Sequence, residues 1–199
     1  MLLSIILPTT GRESLSPCLR SFVAAGAGLD DEVVIVVDAI PGEWGRIAAT
    51  ITASQIDKAT NVQAVFLSTG PHNDVGGAAR NAGLATARGL WACYMDDDDA
   101  WKPGVFAYLR DAVASARTYN DLVVFRVAFP DGSVAWRDHE PVLAVGNVST
   151  IGLLHSLPVP RAVRWRSDVY ENDFHFAADL VNSGFSLSFN TAVVAAVRP

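Results

Sequence analysis

The segment Leu90-Trp91-Ala92-Cys93-Tyr94-Met95-Asp96-Asp97-Asp98-Asp99-Ala100-Trp101-Lys102-Pro103 decides how the chain reads. An apolar run passes directly into four consecutive carboxylates, and Trp-Lys-Pro closes the stretch. A short uninterrupted apolar run bounded by breakers is the pattern of a strand buried on both faces, as in parallel sheets. Ligands of open α/β sheets bind beyond the carboxyl ends of the strands, and the four aspartates fall there. In an extended segment residues two apart point the same way, so Asp96 and Asp98 are expected on one side and Asp97 and Asp99 on the other. Carboxylates about 6 Å apart repel by roughly 0.7 kcal/mol in water and by about 3 kcal/mol at an effective dielectric of 20. A solvated acidic turn is one reading. The position between an apolar strand and Trp101 favours the other, a cation site whose hard oxygen ligands suit Mg2+ or Mn2+.

Working outward, the same unit recurs upstream. Leu2–Leu7 reads as a strand, and Ser16-Pro17 opens a helix to about Ala25 as N-cap and first-turn proline. Val33–Val37 is a β-branched strand ending in Asp38, a second carboxylate at a strand's carboxyl end. A helix around Trp44–Ile56 and a strand at Val62–Leu67 follow. Asp74 is placed to cap a helix over Val75–Arg88, which Gly89 ends, and Pro103 starts a helix to about Thr118. Four strand–helix units predict a parallel sheet with helices on both faces. Downstream, Leu122–Phe129, the Pro130-Asp131-Gly132 turn and Ser133–Arg137 read as a hairpin. An irregular stretch with Pro141, Pro158 and Pro160 leads to a helix at Asn172–Ser183, closed by Gly184, and to strands at Phe185–Phe189 and Ala192–Val197. The fold class is α/β, a mainly parallel central sheet flanked by helices with a mixed or antiparallel rear half, in a single domain over 1–199.

Composition narrows the function classes. The chain has 199 residues, half of them apolar and 18% charged, with a net charge of −6. That excludes a disordered chain, and most of the net charge sits in the one acidic cluster. No basic balance points to bulk nucleic acid or an anionic membrane as partner. Cys18 and Cys93 share no metal-ligand spacing; Cys93, inside the apolar run, reads as a buried free thiol suited to a reducing compartment. The N-terminus lacks a basic n-region, and no run approaches the roughly 18–20 apolar residues that cross a bilayer. A soluble, cytoplasmic protein is expected. His72, His139, His155 and His175 show no ligand spacing, and Trp101 reads as a cap on the sheet edge.

Four stretches together resemble the inverting GT-A glycosyltransferases of the family 2 type. Ser4-Ile5-Ile6-Leu7-Pro8-Thr9-Thr10-Gly11-Arg12 is similar to their opening strand and P-T-x-N-R turn, and Glu32–Asp38 to the second strand with its nucleotide-base aspartate. Gly77-Ala78-Ala79-Arg80-Asn81-Ala82-Gly83 matches the A-R-N-x-G helix, and Tyr94–Pro103 the D-x-D-D-x-W-x-P segment. The resemblance implies a GT-A fold with a nucleotide-sugar half over 1–105 and an acceptor-side half over 106–199, close to a minimal catalytic domain. It places Pro8, Thr9, Thr10, Arg12, Asp38, Gly77, Arg80, Asp96 and Asp97 at the nucleotide-sugar, with Asp38 accepting from the base. Asp98, helped by Asp96, would hold Mn2+ or Mg2+ on the diphosphate. Arg80 either orients the aspartates, contacts the donor, or forms a salt bridge locking helix to loop.

The rear half matches more thinly. The family's E-D pair opens a helix with a glycine eleven residues after the Asp; counting back from Gly184 gives Asp173 as the implied base, with Glu171 in reserve. The helix has an apolar stripe at Phe174, Ala177, Ala178 and Val181, with Phe176 and Leu180 on the side that Asp173 shares. A partly desolvated carboxyl there gains a raised pKa and basic competence; the alternative is a carboxylate facing the helix dipole. Departures are Gly11 for Asn, Ala39 for a second Asp, Asn172 for Glu, and no late histidine after His175. Arg164-Trp165 resembles the R-W of processive enzymes but precedes Asp173, so a processive polymerase is not expected, and Arg161, Arg164 and Arg166 read as a solvated basic loop. The implied activity is metal-dependent inverting glycosyl transfer from a nucleotide-diphosphate sugar, with UDP the family's commonest nucleotide. The acceptor hydroxyl is left open among glycan, lipid, protein and modified nucleobase. Rival readings are a haloacid-dehalogenase-like phosphatase using Asp96 and Asp98, although that motif belongs to a first strand, and a nucleotidyltransferase, whose Gly- and Lys/Arg-rich loop is missing after Leu7. A non-catalytic nucleotide-sugar-binding homologue is the third.

Overall fold

Four short strands, the second of them (Glu32–Val37) almost wholly β-branched, build the front of the sheet. The structure is a computed structural model describing residues 1–116, 120–136, 141–167 and 169–197. Strands β1 (Leu3–Thr9), β2 (Glu32–Val37), β3 (Asn61–Phe66) and β4 (Trp91–Tyr94) lie parallel in the order β3-β2-β1-β4. Helices α1 (Leu15–Ala25), α2 (Trp44–Ser54) and α3 (Gly77–Thr86) connect them. The alternation of strand side chains splits the interior in two. Ile5, Leu7, Val33, Ile35 and Val37 face α1 and α4 (Val105–Ala114), where Leu19, Phe22, Phe106 and Leu109 complete one core. Ile6 faces the other way, toward Trp165, Phe176 and Leu180. α3 sits so close to β1 that a Cβ on Gly83 would lie 2.4 Å from Ile6 Cγ2, which is why that helix carries glycine there.

The rear half completes one eight-stranded sheet, in the order β3-β2-β1-β4-β7-β6-β8-β5. Here β5 is Ala100–Trp101, β6 Asp121–Ala128, β7 Leu153–Ser156 and β8 Ser186–Ala196, while α5 spans Asn172–Asn182. β7 runs antiparallel to both β4 and β6, and β8 runs parallel to β6. The expected parallel front and mixed rear are thus both present.

Several local expectations need correction. α1 begins at Leu15, ahead of Ser16-Pro17, and no side chain caps it. α3 begins at Gly77 rather than Val75; Asp74 lies before it, with its Oδ2 accepting from the Ala78 N–H at 2.6 Å. β7 falls inside the stretch read as irregular, because four buried residues leave too short a periodic signal. The two last strands are a single strand whose pairing slips beside Phe125 and Arg126. The hairpin after β6 pairs Ala128 with Val134, the Phe129 N–H donating to the Ser133 carbonyl and the Ala135 N–H to the Val127 carbonyl; Arg137, His139 and Thr118 lie outside the described residues. Cys93 is a buried thiol outside any disulfide, as expected, and burial pushes it well up; Cys18 is also buried, its Sγ 3.6 Å from the Asp96 carbonyl. Trp101 is buried edge-on to Phe22 and Phe106.

Candidate active site

The carboxyl ends of β1, β2 and β4 meet at one edge, and the acidic cluster turns there. The Asp99 N–H donates to the Asp96 carbonyl at 3.1 Å, closing a turn over Asp96–Asp99. The expected alternation holds through that turn: Asp97 and Asp99 are buried, whereas Asp96 and Asp98 reach solvent. Inside, Thr9 Oγ1 donates to Asp97 Oδ2 at 2.5 Å and accepts from the Gly11 N–H at 2.9 Å. Burial raises the Asp97 carboxyl above its ordinary range, against the Thr9 hydrogen bond and the charge of Arg12. Gly11 is left-handed (φ 84°), and a Cβ there would meet Ile47 Cδ1 at 2.5 Å, so the departure from Asn accompanies close packing of α2. Outside, Arg12 reaches Asp98 Oδ2 at 2.5 Å.

Arg80, 5% exposed on α3, binds Asp96 Oδ1 at 2.5 Å and the Val75 carbonyl at 2.6 Å. Its guanidinium lies 4.9 Å from the centre of the Trp165 ring, which stacks on Phe176 of α5 at 4.4 Å. Asn81 fixes Trp165 through a reciprocal pair, Nδ2 donating to the Trp165 carbonyl at 2.8 Å and Oδ1 accepting its N–H at 3.0 Å. Arg80 therefore ties α3 to the acidic turn through Asp96 and to the Trp165 loop, which is the contact expected of a helix-to-loop lock. Gly77 allows the Trp165 segment to pass, since a Cβ there would lie 2.6 Å from the Arg166 carbonyl oxygen.

Asp38 ends β2 at the same edge, 5% exposed. His72 covers it: the backbone N–H reaches both carboxylate oxygens at 3.1 Å, and Nδ1 lies 2.8 Å from Oδ1. The carboxylate expected to meet a nucleotide base is thus already engaged by the loop before α3. That loop is strained: Asn73 (φ 52°) and Val75 (φ 56°) are left-handed, a region that a β-branched residue rarely adopts.

Two cavities open along this edge. The first, about 540 Å³, is lined by Pro8, Thr9, Thr10, Arg12, Asp38, Asp74 and the acidic turn. The second, about 510 Å³, takes in Glu171, Asn172 and Asp173 at the start of α5 together with Ser149 and Thr150. Val75, Arg80, Asp96, Asp98 and Tyr170 belong to both walls. The sequence-derived donor residues thus meet in one cavity and the α5 carboxylates in its neighbour; Gly77 stands behind the wall, at the Arg166 crossing. The buried face of α5 is Asn172, Phe176, Ala177 and Leu180, so it keeps Ala177 of the expected stripe, with Val181 packed against the same core, and is otherwise centred on the Phe176–Leu180 side, leaving Phe174 and Ala178 half-buried. Asn172, standing for Glu, is buried with its Nδ2 3.4 Å from the Arg166 carbonyl. Burial raises the Asp173 carboxyl, opposed by the Phe174 N–H at 2.7 Å and by Arg80, and reinforced by Asp96. Glu171 is exposed at the mouth of the second cavity.

The carboxylates suit a hard divalent cation only as an open site. Among the described residues no three His, Cys, Asp or Glu side chains converge on one point, so a cage is not built. Mg2+-type ions bind through one or two carboxylates plus phosphate and water. Asp98, partly exposed on both cavity walls, and Asp96 beside it supply that set.

Sequence reasoning missed His72, Asp74 as a wall residue, Val75 and Tyr170. Tyr170 is 83% exposed between the cavities, next to Glu171, and no periodicity marks it. Of the other described histidines, His155 is buried against the Tyr94 hydroxyl at 2.8 Å, its pKa lowered by burial to about 4, and His175 lies edge-on to Phe174.

Solved structures with the same architecture include TarS and a mannosyltransferase. The chain superposes on S. aureus TarS with a TM-score of 0.74 at 15% identity, covering 100% of this chain and 37% of that one. For TarS 1–349 in complex with UDP-GlcNAc the values are 0.74, 16%, 98% and 58%. For the mannosyltransferase PcManGT from Pyrobaculum calidifontis, in complex with GDP-Man and Mn2+, they are 0.71, 18%, 99% and 57%. The chain thus spans less than two thirds of each of these proteins, and at such identities the likeness establishes the GT-A fold. No curated protein matches the sequence significantly. Among the described residues no helix is long and apolar enough to cross a membrane. The model of glycosyl transferase family 2 matches residues 4–178, which takes in every strand and helix that lines the two cavities except the end of α5, and the chain belongs to that family.

Proposed function

We propose that this chain transfers a glycosyl group from a nucleotide-diphosphate sugar to an acceptor hydroxyl with inversion at the anomeric carbon. One observation carries the reading. The donor-side cavity and the cavity holding Asp173 share the wall formed by Asp96, Asp98 and Arg80, so two substrates can meet there. The nucleoside lies against Pro8, Thr9, Thr10 and the Asp38 end of β2, with the diphosphate toward the acidic turn. Asp98, with Asp96, is the place for Mn2+ or Mg2+, which when bound offsets charge developing on the leaving diphosphate. The acceptor enters beside Glu171 and Asp173. Its oxygen forms a bond to the anomeric carbon as the bond from that carbon to the diphosphate oxygen breaks. The hydroxyl proton passes to the Asp173 carboxylate, and the electron pair leaves on the diphosphate. Burial that raises the Asp173 pKa makes it a better base while leaving it ionised at higher pH. UDP- and GDP-sugars bound to similar folds make these the first donors to try.

Thermal unfolding with nucleoside diphosphates and nucleotide-sugars, with and without Mn2+, tests the donor site. A ligand at about 100 times its Kd adds roughly 2.7 kcal/mol of stability. A Mn2+-dependent rise in Tm that Asp98→Ala abolishes is the expected result. No rise with any nucleotide overturns the reading. Phosphate release from sugar phosphates would instead support the phosphatase alternative.

A further inference from the structure

We infer that the second cavity receives an uncharged glycoside ring stacked on Tyr170, and not a phosphate-bearing acceptor; the inference rests on the acceptor side just proposed. Tyr170 comes immediately before Glu171 at the start of α5, and it is 83% exposed on the wall that both cavities share. Among the described residues no other ring packs against it. A single exposed apolar side chain is common on any surface. Tyr170 is not single: Val75 and Val145 are exposed on the same cavity, and the half-buried Phe129 and Val197 line it too. The rest of the lining is polar, with the hydroxyls of Ser149 and Thr150 and a set of carboxylates. Apolar surface combined with a few placed polar groups is the make-up of a small-molecule site. A pyranose ring matches both parts. Its C–H face is apolar and lies flat against an aromatic ring, while the hydroxyls around its edge donate to carboxylates.

Charge sets the class of acceptor. Asp96, Asp98, Asp99, Glu171 and Asp173 line this cavity, and Arg80 is the one cation on its wall among the described residues. Arg80 is already bound to Asp96 Oδ1 and to the Val75 carbonyl. A divalent cation at Asp98 and Asp96 serves the donor's diphosphate in the function proposed, and Glu171 and Asp173 stay on the acceptor side. A phosphate there meets like charge at short range, which a partly desolvated wall strengthens, whereas a hydroxyl meets hydrogen-bond acceptors.

Kinetics with matched acceptors test the inference. The probes are the methyl glycosides of glucose, galactose, mannose and N-acetylglucosamine and the corresponding sugar 1-phosphates, which differ only in the group on the anomeric oxygen. Nucleotide release is measured with the nucleotide-sugar that raises Tm in Mn2+. At least one methyl glycoside is expected to stimulate release, and its 1-phosphate to show a kcat/KM roughly tenfold or more lower. Tyr170→Ala is expected to raise KM for that glycoside about five- to tenfold, with a smaller change in the donor's KM. Tyr170→Phe keeps the ring and is expected to hold the wild-type KM. Both variants are expected to keep the unliganded Tm, because the side chain is exposed. Equal or better use of the 1-phosphate overturns the inference while the donor site stands. So does a lack of stimulation by every methyl glycoside, or an acceptor KM that Tyr170→Ala leaves unmoved. If no nucleotide-sugar raises Tm, the donor site falls and the inference falls with it.

Discussion

Asn81→Ala tests whether the Trp165 segment is held by hydrogen bonds or by ring packing. Asn81 exchanges two hydrogen bonds with the Trp165 backbone, at 2.8 and 3.0 Å, between α3 and a loop 84 residues away in sequence. Each contributes about 1–1.5 kcal/mol net, and both partners on Trp165 are left unpaired when the amide goes. Against about 2.5 kcal/mol for the pair stands roughly 0.6 kcal/mol gained from alanine's better helix propensity. The expected loss is about 2 kcal/mol, which for a domain of this size lowers Tm by about 4–8 °C. Urea unfolding checks it, with an unchanged m-value showing that stability alone has moved. Asn81→Asp retains the acceptor for the Trp165 N–H but sets a carboxylate oxygen against the Trp165 carbonyl, so at pH 7 a loss no smaller than that of Asn81→Ala is expected. A loss below about 0.5 kcal/mol for Asn81→Ala would refute the reasoning and leave the Trp165–Phe176 stack as the real fastening.

Asp173→Asn is expected to lower transfer about 10²–10⁴-fold, the usual share of a general base, measured as nucleotide release with acceptor present. The pKa of the folded-state carboxyl is raised by burial, so the folded protein binds more protons than the unfolded chain between the two pKa values. Wild-type stability from this group therefore falls as pH rises from the ordinary carboxylate range through the raised pKa. Asp173→Asn should accordingly be at least as stable as wild type at pH 7, with that advantage gone in acid, by Tm against pH. The acid limb of the wild-type rate profile should likewise lie above the ordinary carboxylate range, and an ordinary limb would count against Asp173. Gly77→Ala places a Cβ 2.6 Å from the Arg166 carbonyl oxygen, a backbone clash expected to cost about 1–3 kcal/mol in urea unfolding. Asp98→Ala is expected to leave the unliganded unfolding free energy within about 0.5 kcal/mol of wild type in urea unfolding, because its Arg12 contact is exposed.

The front of the sheet was legible because burial on both faces writes itself into sequence as unbroken apolar runs. Val33–Val37 and Leu90–Met95 needed no context to be read as strands. The acidic turn was legible for the opposite reason: four carboxylates after such a run have no place in a core. The rear half hid where signals are short or borrowed. β7 is four residues long, and His155 within it is tolerated only because Tyr94 supplies a partner. The buried face of α5 is set by Trp165, which arrives from a loop, so the helix's own periodicity pointed at the neighbouring stripe. The covering of Asp38 by His72 was invisible because it depends on left-handed residues at 73 and 75, and Val75 is one that sequence rules assign elsewhere.

Arg80 explains how so scattered a set becomes one site. Its guanidinium joins the Val75 carbonyl on the strained loop, the Asp96 carboxylate on the acidic turn and the face of Trp165. Trp165 in turn stacks on Phe176, one turn along α5 from Asp173. Groups of the two cavities are therefore fastened to one nearly buried cation rather than to each other. A lysine at that position keeps the charge and loses the planar fork that serves two acceptors and a ring at once. Arg80 thus belongs to both cavities at once, and so does the Asp96 carboxylate it holds, so a change at either residue reaches both walls.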